Sequence, residues 1–207
     1  MRRVWVDPAA PQRDAIEEAA KWILAGRIVA IPTDTLYGLA VDPFSAAAVD
    51  ALFAAKARPA DRAIPLVAAD RAQVEAAVGA LPAIAARLAD RAWPGPLTLV
   101  VRAPRALAPV TGDTGTVGIR VPNQDVARAI ARMTGRPVTA TSANVSGEPA
   151  TDDPDRVEAA LGDRIELLVD AGRTAGGPAS TIVDVTGDVP RLVRAGAIAW
   201  DTIQQWL

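Results

Sequence analysis

No histidine and no cysteine occur in this chain of 207 residues, and aromatic side chains make up only 4% of it. Without imidazole or thiol there is no His general base, no thiolate nucleophile, no Ser-His-Asp triad and no Cys/His zinc site. Any chemistry done on a substrate must then come from positioning and electrostatics. The missing cysteines also exclude a disulfide framework and fit a reducing compartment. So few Phe, Trp and Tyr residues leave little on which the bases of a single-stranded nucleic acid could stack. Neither charge sign dominates: 22 Lys and Arg stand against 24 Asp and Glu, a formal net charge of -2. No global field attracts a polyanion, and any anion site must be a local patch. Long hydrophobic runs are also lacking. The uncharged stretches 92–101 and 137–147 are about half the ~20 residues that span a bilayer, and each contains Pro or Gly. Met1-Arg2-Arg3 opens like a signal peptide, but Asp7, Pro8, Pro11, Arg13 and Asp14 interrupt the apolar segment that would have to follow. The expectation is a cytoplasmic protein with no membrane partner. Asn144-Val145-Ser146 is then a sequon by chance, and its asparagine is free for another role.

Half the residues are hydrophobic and 22% charged, the balance of a folded chain, and the length suits one domain over 1–207. Strand and helix signals alternate, which predicts an α/β fold (α+β by some schemes) with helices on the faces of one sheet. Apolar residues at helical spacing predict a helix over 11–25, stopped by Gly26. A buried strand over 27–32 leads into the polar loop 33–38, and Ser45 caps a helix that ends near Lys56, with Pro59 beyond it. A short strand is predicted over 64–68, where Pro65 suggests an edge or irregular position. Helices over 71–78 and 82–92 precede a break at Trp93-Pro94-Gly95-Pro96. Strands are predicted over 97–102, 116–121, 137–141 and 167–170, with a helix over 124–133 and a brief one from Asp153-Pro154. A glycine-rich loop over 171–178 leads to a hairpin of 180–184 with 191–194 and a terminal helix over 201–206. There is no internal repeat and no linker that would mark a second domain.

Two polar stretches stand out on this apolar scaffold. Lys56-Ala57-Arg58 offers a point charge and a bidentate fork, a pairing suited to phosphate or carboxylate, and Arg62 lies close enough in the chain to join it. The plain alternative is that a helix C-terminus favours basic residues. Thr139, Thr141, Ser142 and Asn144, with Ala140 and Ala143 between them, place hydroxyl and amide groups where a strand leaves its sheet. Ligands of open α/β sheets bind outside such strand ends, although Ser, Thr and Asn are also ordinary turn residues. Thr33-Asp34-Thr35 repeats the pattern, with Asp34 read as a local turn former. Arg120, in the strand-like Thr116-Val117-Gly118-Ile119-Arg120, needs either a ligand or an ion-pair partner, and Arg194 has the same standing. Ser180-Thr181 adds hydroxyls after the glycine-rich loop. Neither GxxxxGK[ST] nor GxGxxG occurs. Asp42, Asp170 and Asp184 could assist a metal, but no motif picks them out over turn or surface roles.

Six blocks, in order along the chain, carry a resemblance: Pro32-Thr33-Asp34-Thr35-Leu36-Tyr37-Gly38-Leu39, Lys56-Ala57-Arg58-Pro59, Trp93-Pro94-Gly95-Pro96-Leu97-Thr98, Thr116-Val117-Gly118-Ile119-Arg120-Val121-Pro122, Thr141-Ser142-Ala143-Asn144-Val145-Ser146-Gly147 and Pro178-Ala179-Ser180-Thr181-Ile182-Val183-Asp184. Together the chain resembles the YrdC family, the threonylcarbamoyl-AMP synthases, in its short single-domain form. The resemblance implies a three-layer domain with a twisted mixed sheet, helices on both faces and a concave basic cleft. It implies that L-threonine, bicarbonate and ATP, with Mg²⁺, give L-threonylcarbamoyladenylate and pyrophosphate, toward threonylcarbamoyl modification of the tRNA adenosine beside the anticodon. The implied partners beyond these substrates are tRNA or the downstream transferase proteins. By the same resemblance Thr35, Arg120, Ala140 and Ser180 meet threonine, while Lys56, Arg58, Arg62, Thr116, Ser142, Asn144 and Arg194 hold the nucleotide. Lys56, Arg58, Ser142 and Asn144 are the implied catalytic set, with no metal held by the protein. Family members often carry a histidine near threonine where this chain has Leu66-Val67-Ala68. Two other readings fit the same residues: a non-catalytic RNA-binding or ribosome-associated factor using the same basic cleft, and carbamoyl transfer to another acceptor.

Overall fold

The computed structural model describes residues 1–57 and 63–207. Its first half runs β1 (Arg2–Trp5), α1 (Arg13–Leu24), β2 (Val29–Ile31), β3 (Gly38–Ala40), α2 (Ala46–Ala55), β4 (Leu66–Val67), α3 (Arg71–Val78), α4 (Ala83–Ala92) and β5 (Leu97–Arg102). A 3-10 turn at Arg105–Val110 precedes β6 (Thr116–Arg120), α5 (Asp125–Met133), β7 (Val138–Thr139), β8 (Thr141–Ser142) and α6 (Pro154–Leu161). β9 (Leu167–Asp170), β10 (Thr181–Asp184), β11 (Arg191–Arg194) and α7 (Trp200–Gln204) complete the chain. Helices begin where short polar side chains satisfy their first amides. Ser45 accepts from the Ala48 amide, Asp70 from Gln73 and Asp153 from Asp155.

The strands expected in one sheet divide between two mixed sheets, ordered β1-β9-β2-β3-β8 and β11-β10-β5-β6-β4-β7. The predicted strand 137–141 is where they divide. β7 pairs antiparallel with β4 of one sheet and β8 with β3 of the other, and between them Ala140 donates its amide to the Pro65 carbonyl at 2.9 Å. β4 is therefore interior, flanked by β6 and β7. The missing N–H of Pro65 does no harm there because Pro65 precedes the strand and contributes its carbonyl.

Thr139, with no solvent exposure, fixes the crossing. Its amide donates to the Val41 carbonyl at 3.1 Å, and its hydroxyl accepts from the Val41 amide at 2.9 Å and donates to the Leu39 carbonyl at 3.1 Å. Thr139→Val keeps the shape but leaves two buried backbone groups without that hydroxyl, so stability should fall by about 1–3 kcal/mol. Urea denaturation checks this, with Thr139→Ser recovering most of the loss; equal midpoints for Val and wild type would refute the role.

Alternation along the strands sends side chains to two cores. Val29, Ile31, Leu167 and Val169 pack with Ile16 and Ile23 of α1 and Val126 and Ile130 of α5, and these two helices lie against each other. Ala30 and Leu168 point the other way, into the larger core with Leu39, Leu52, Leu66, Leu99, Ile119 and Val183. Among the described residues no helix is long and apolar enough to cross a membrane.

Candidate functional site

β5 and β10 run parallel while β6 and β11 run opposite to them. Thr98 and Ser180, at or just before strand starts, therefore come to the same end of the sheet as Arg120 and Arg194, at strand ends. The loop after β2 and the end of β8 bring the second sheet to this place through the Gly38–Ser142 pairing. A cavity of about 340 Å³ lies between, and Thr35, Arg120, Ala140, Ser142, Ser180 and Arg194 all line it. Six positions separated by as much as 159 residues thus share one cavity. Gly38 is needed at its edge: a Cβ there would stand 3.3 Å from the Thr141 carbonyl oxygen and 3.6 Å from Cγ2 of Thr33.

The polar lining is braced from behind. Ser180 Oγ and Thr98 Oγ1 share a hydrogen bond of 2.8 Å, and Arg194 donates to the Ser180 carbonyl from Nη2 at 2.7 Å and from Nε at 3.3 Å. Burial lowers the pKa of Arg194. Thr35 sits 3.3 Å, oxygen to oxygen, from Thr33, whose hydroxyl donates to the Leu36 carbonyl at 2.7 Å. The glycine-rich loop closes over this turn: the Thr35 carbonyl accepts from the Gly176 amide at 2.9 Å and from the Thr174 hydroxyl at 2.7 Å. Gly176 has a φ of 67°, a left-handed conformation that suits glycine. Tyr37 ties the same loops, its buried hydroxyl donating to the Gly172 carbonyl at 2.7 Å and accepting from the Ala171 amide at 3.1 Å. Burial raises the pKa of that phenol. Ala140, with its amide on the Pro65 carbonyl, also lines the cavity.

Arg120 is the most unusual group. Its side chain is 9% exposed and that of Asp34 8%, with Nη1 and Oδ1 2.9 Å apart. Yet among the described residues neither of these two buried atoms has a hydrogen-bond partner, because their approach is close without being aligned. Burial lowers the guanidinium's pKa, Asp34 opposes that shift, and Arg194 adds to it. Arginine's ordinary value is high enough that the group stays cationic. A cation of this kind beside an open cavity is held ready for an anion.

Lys56 packs beneath the turn at 142–144. It is 3% exposed and caps the end of α2, and its ammonium donates to the Ser142 carbonyl, to the Asn144 carbonyl at 2.7 Å and to Asn144 Oδ1 at 3.1 Å. The Ser146 amide returns a bond to the Lys56 carbonyl at 2.8 Å. Ser142 Oγ donates to Asn144 Oδ1. The lysine, serine and asparagine are thus one unit, in which the lysine shapes the turn that presents Ser142. Thr116 lies at the far end of β6 from Arg120, about 13 Å along the strand, and is absent from the cavity lining. Arg58 and Arg62 fall outside the described residues. Asp42, Asp170 and Asp184 accept from backbone amides of Phe44, Gly172 and Thr186 and pair with Arg136, Arg3 and Arg191.

Three residues at the site were not singled out from sequence for a role there. Asp34 reads locally as a turn, and nothing adjacent reveals its partner 86 positions away. Tyr37 carries a signal, being the chain's one tyrosine and placed in a polar loop. Thr98 opens a strand directly after the Trp93–Pro96 break, in step with Ser180-Thr181 only once β5 and β10 are paired.

The Sua5/YciO/YrdC family, described as telomere recombination, matches residues 21–196. A threonylcarbamoyl-AMP synthase of Pyrococcus abyssi is 37% identical over 93% of this chain and 58% of its own length. One of Bacillus subtilis is 39% identical over 91% of this chain and 55% of its own. The chain thus spans just over half the length of these relatives. The crystal structure of P. abyssi Sua5 complexed with L-threonine superposes with a TM-score of 0.95 at 34% identity, covering 100% of this chain and 61% of that one. The ordered sequence blocks, the paired sheets around one polar cavity and these likenesses agree, and the chain belongs to the Sua5/YciO/YrdC family.

Proposed function

We propose that this chain is a nucleotidyltransferase that makes L-threonylcarbamoyladenylate and pyrophosphate from L-threonine, bicarbonate and ATP in the cytoplasm. Its product would supply threonylcarbamoyl modification of the tRNA adenosine beside the anticodon through downstream transferase proteins. The observation that carries the reading is the buried cation Arg120 lining one cavity with the hydroxyl-bearing residues Thr35, Ser142 and Ser180. Such a site fits a small hydroxy amino acid, its carboxylate on the guanidinium and its other polar atoms among Thr35, Ser180 and the backbone at Ala140. The threonylcarbamoyl-AMP synthase activity of the relatives and the L-threonine held by P. abyssi Sua5 support the same choice.

The chemistry suits a chain without histidine or cysteine. Threonine's amine joins bicarbonate with loss of water to give a carbamate. A carbamate oxygen then forms a bond to the α-phosphorus of ATP as the bond from that phosphorus to the β-phosphate oxygen breaks and pyrophosphate leaves. No protein nucleophile is needed, only alignment and neutralisation of charge. Mg²⁺ belongs to the substrate here, entering as MgATP. Ser142, bonded to Asn144, and Arg194 line the same cavity and would hold the nucleotide, with Lys56, Arg58 and Arg62 as phosphate contacts.

Purified protein given MgATP and bicarbonate should release pyrophosphate only when L-threonine is added. Release of equal rate without threonine would sink the assignment.

A further inference from the structure

We propose that Asp34 is a positioning residue that holds the Arg120 guanidinium in the orientation that receives the amino-acid carboxylate, and so sets the affinity for threonine. This rests on the synthase reading above. Asp34 is absent from the cavity lining, whereas Arg120 is part of it, so the carboxylate acts through the arginine and not on the substrate. It is anchored at both oxygens. Oδ2 accepts from the Asn123 amide at 3.2 Å, and Oδ1 stands 2.9 Å from Nη1 of Arg120. The loop after β2 is thereby fastened to the loop after β6, on either side of the arginine's own strand end.

Two physical consequences follow. An arginine has several rotatable bonds, and a buried one without a partner would either fold away toward water or leave its site. A fixed carboxylate removes that freedom before the ligand arrives. Nη1 and Asp34 Oδ1 are both shut off from solvent, so the carboxylate meets the guanidinium on its buried side. Asp34 therefore balances the charge while leaving the rest of the fork to an incoming carboxylate. A carboxylate on the cavity side would compete with the ligand; one placed farther away would leave the cation unbalanced.

The test is steady-state kinetics with threonine and MgATP varied separately. Asp34→Asn keeps the volume and the acceptor for Asn123 while removing the charge, and it should raise the threonine KM about tenfold, with the ATP KM and kcat at saturating threonine within about twofold of wild type. Asp34→Glu keeps the charge but shifts it by a methylene, and should also raise the threonine KM, by about threefold or more. In an Arg120→Lys background, which lacks the fork, adding Asp34→Asn should cost less than about twofold more. An unchanged threonine KM in Asp34→Glu, or an Asp34→Asn effect that persists in full beside Arg120→Lys, overturns the assignment even if one variant folds poorly. Wild-type protein that shows no threonine-dependent pyrophosphate release instead overturns the synthase reading, and the role of Asp34 with it.

Discussion

Arg120→Ala is expected to raise the threonine KM by about 100-fold or more and, at the same time, to lower stability by about 3–5 kcal/mol. Both effects come from one buried ion pair. The lost guanidinium removes the cation that stands 2.9 Å from Asp34 Oδ1 and leaves a carboxylate 8% exposed without that counter-charge. The two effects separate in a double variant. Arg120→Met with Asp34→Asn replaces the pair by neutral groups of similar volume, and such replacements are often neutral or stabilising. Stability should therefore return to within about 1 kcal/mol of wild type, while the threonine KM stays as high as in Arg120→Ala. Urea denaturation and pyrophosphate release on the same preparations give the two readings. Recovery of activity together with stability would mean that the arginine serves the fold alone, and the threonine site would have to lie elsewhere.

What the sequence makes visible here follows from the range of the interactions. Ser45 announces α2 because an N-cap is settled within three residues, and its side chain does accept from the Ala48 amide. Leu97–Arg102, Arg71–Val78 and Leu167–Asp170 carry complete local patterns and form over the residues predicted. Arg120 could be singled out because a charge inside an apolar strand is a local anomaly. Its partner could not, since Asp34 has a sufficient local explanation as a turn former. β1 escapes for a related reason: Arg2–Trp5 is mostly exposed and acquires strand structure only by pairing with β9, far along the chain. The crossing at Ala140 is hidden in a segment whose residues all favour strand, so that the change of sheet is decided by Pro65, Val41 and Leu39, which meet it only in the folded chain. Lys56 could be singled out by its residue type, but the bonds its ammonium makes to carbonyls 86 and 88 positions away could not.

That placement gives Lys56→Met a distinctive expected result. Methionine is close to lysine's length and can fill the buried channel, but it donates nothing to the two carbonyls and the amide oxygen that now meet the ammonium. Hydrogen bonds to a charged donor contribute about 1.5–3 kcal/mol each when broken singly, and three shared by one group do not add. A loss of about 2–3 kcal/mol in stability is therefore expected, with kcat/KM for ATP lowered by about 100-fold as the Ser142 turn loses its shape. A lysine that met only phosphates would behave otherwise, because its removal would reduce ATP use while leaving the ligand-free protein as stable as before. Lys56→Arg should not rescue: the planar fork is larger than the ammonium and would have to fit a site only 3% exposed. Thermal or urea denaturation without nucleotide, read beside the ATP dependence of pyrophosphate release, separates the two roles. Undiminished stability in Lys56→Met would return the lysine to the phosphates and leave the turn at 142–144 to be held by Ser142 and Asn144 themselves.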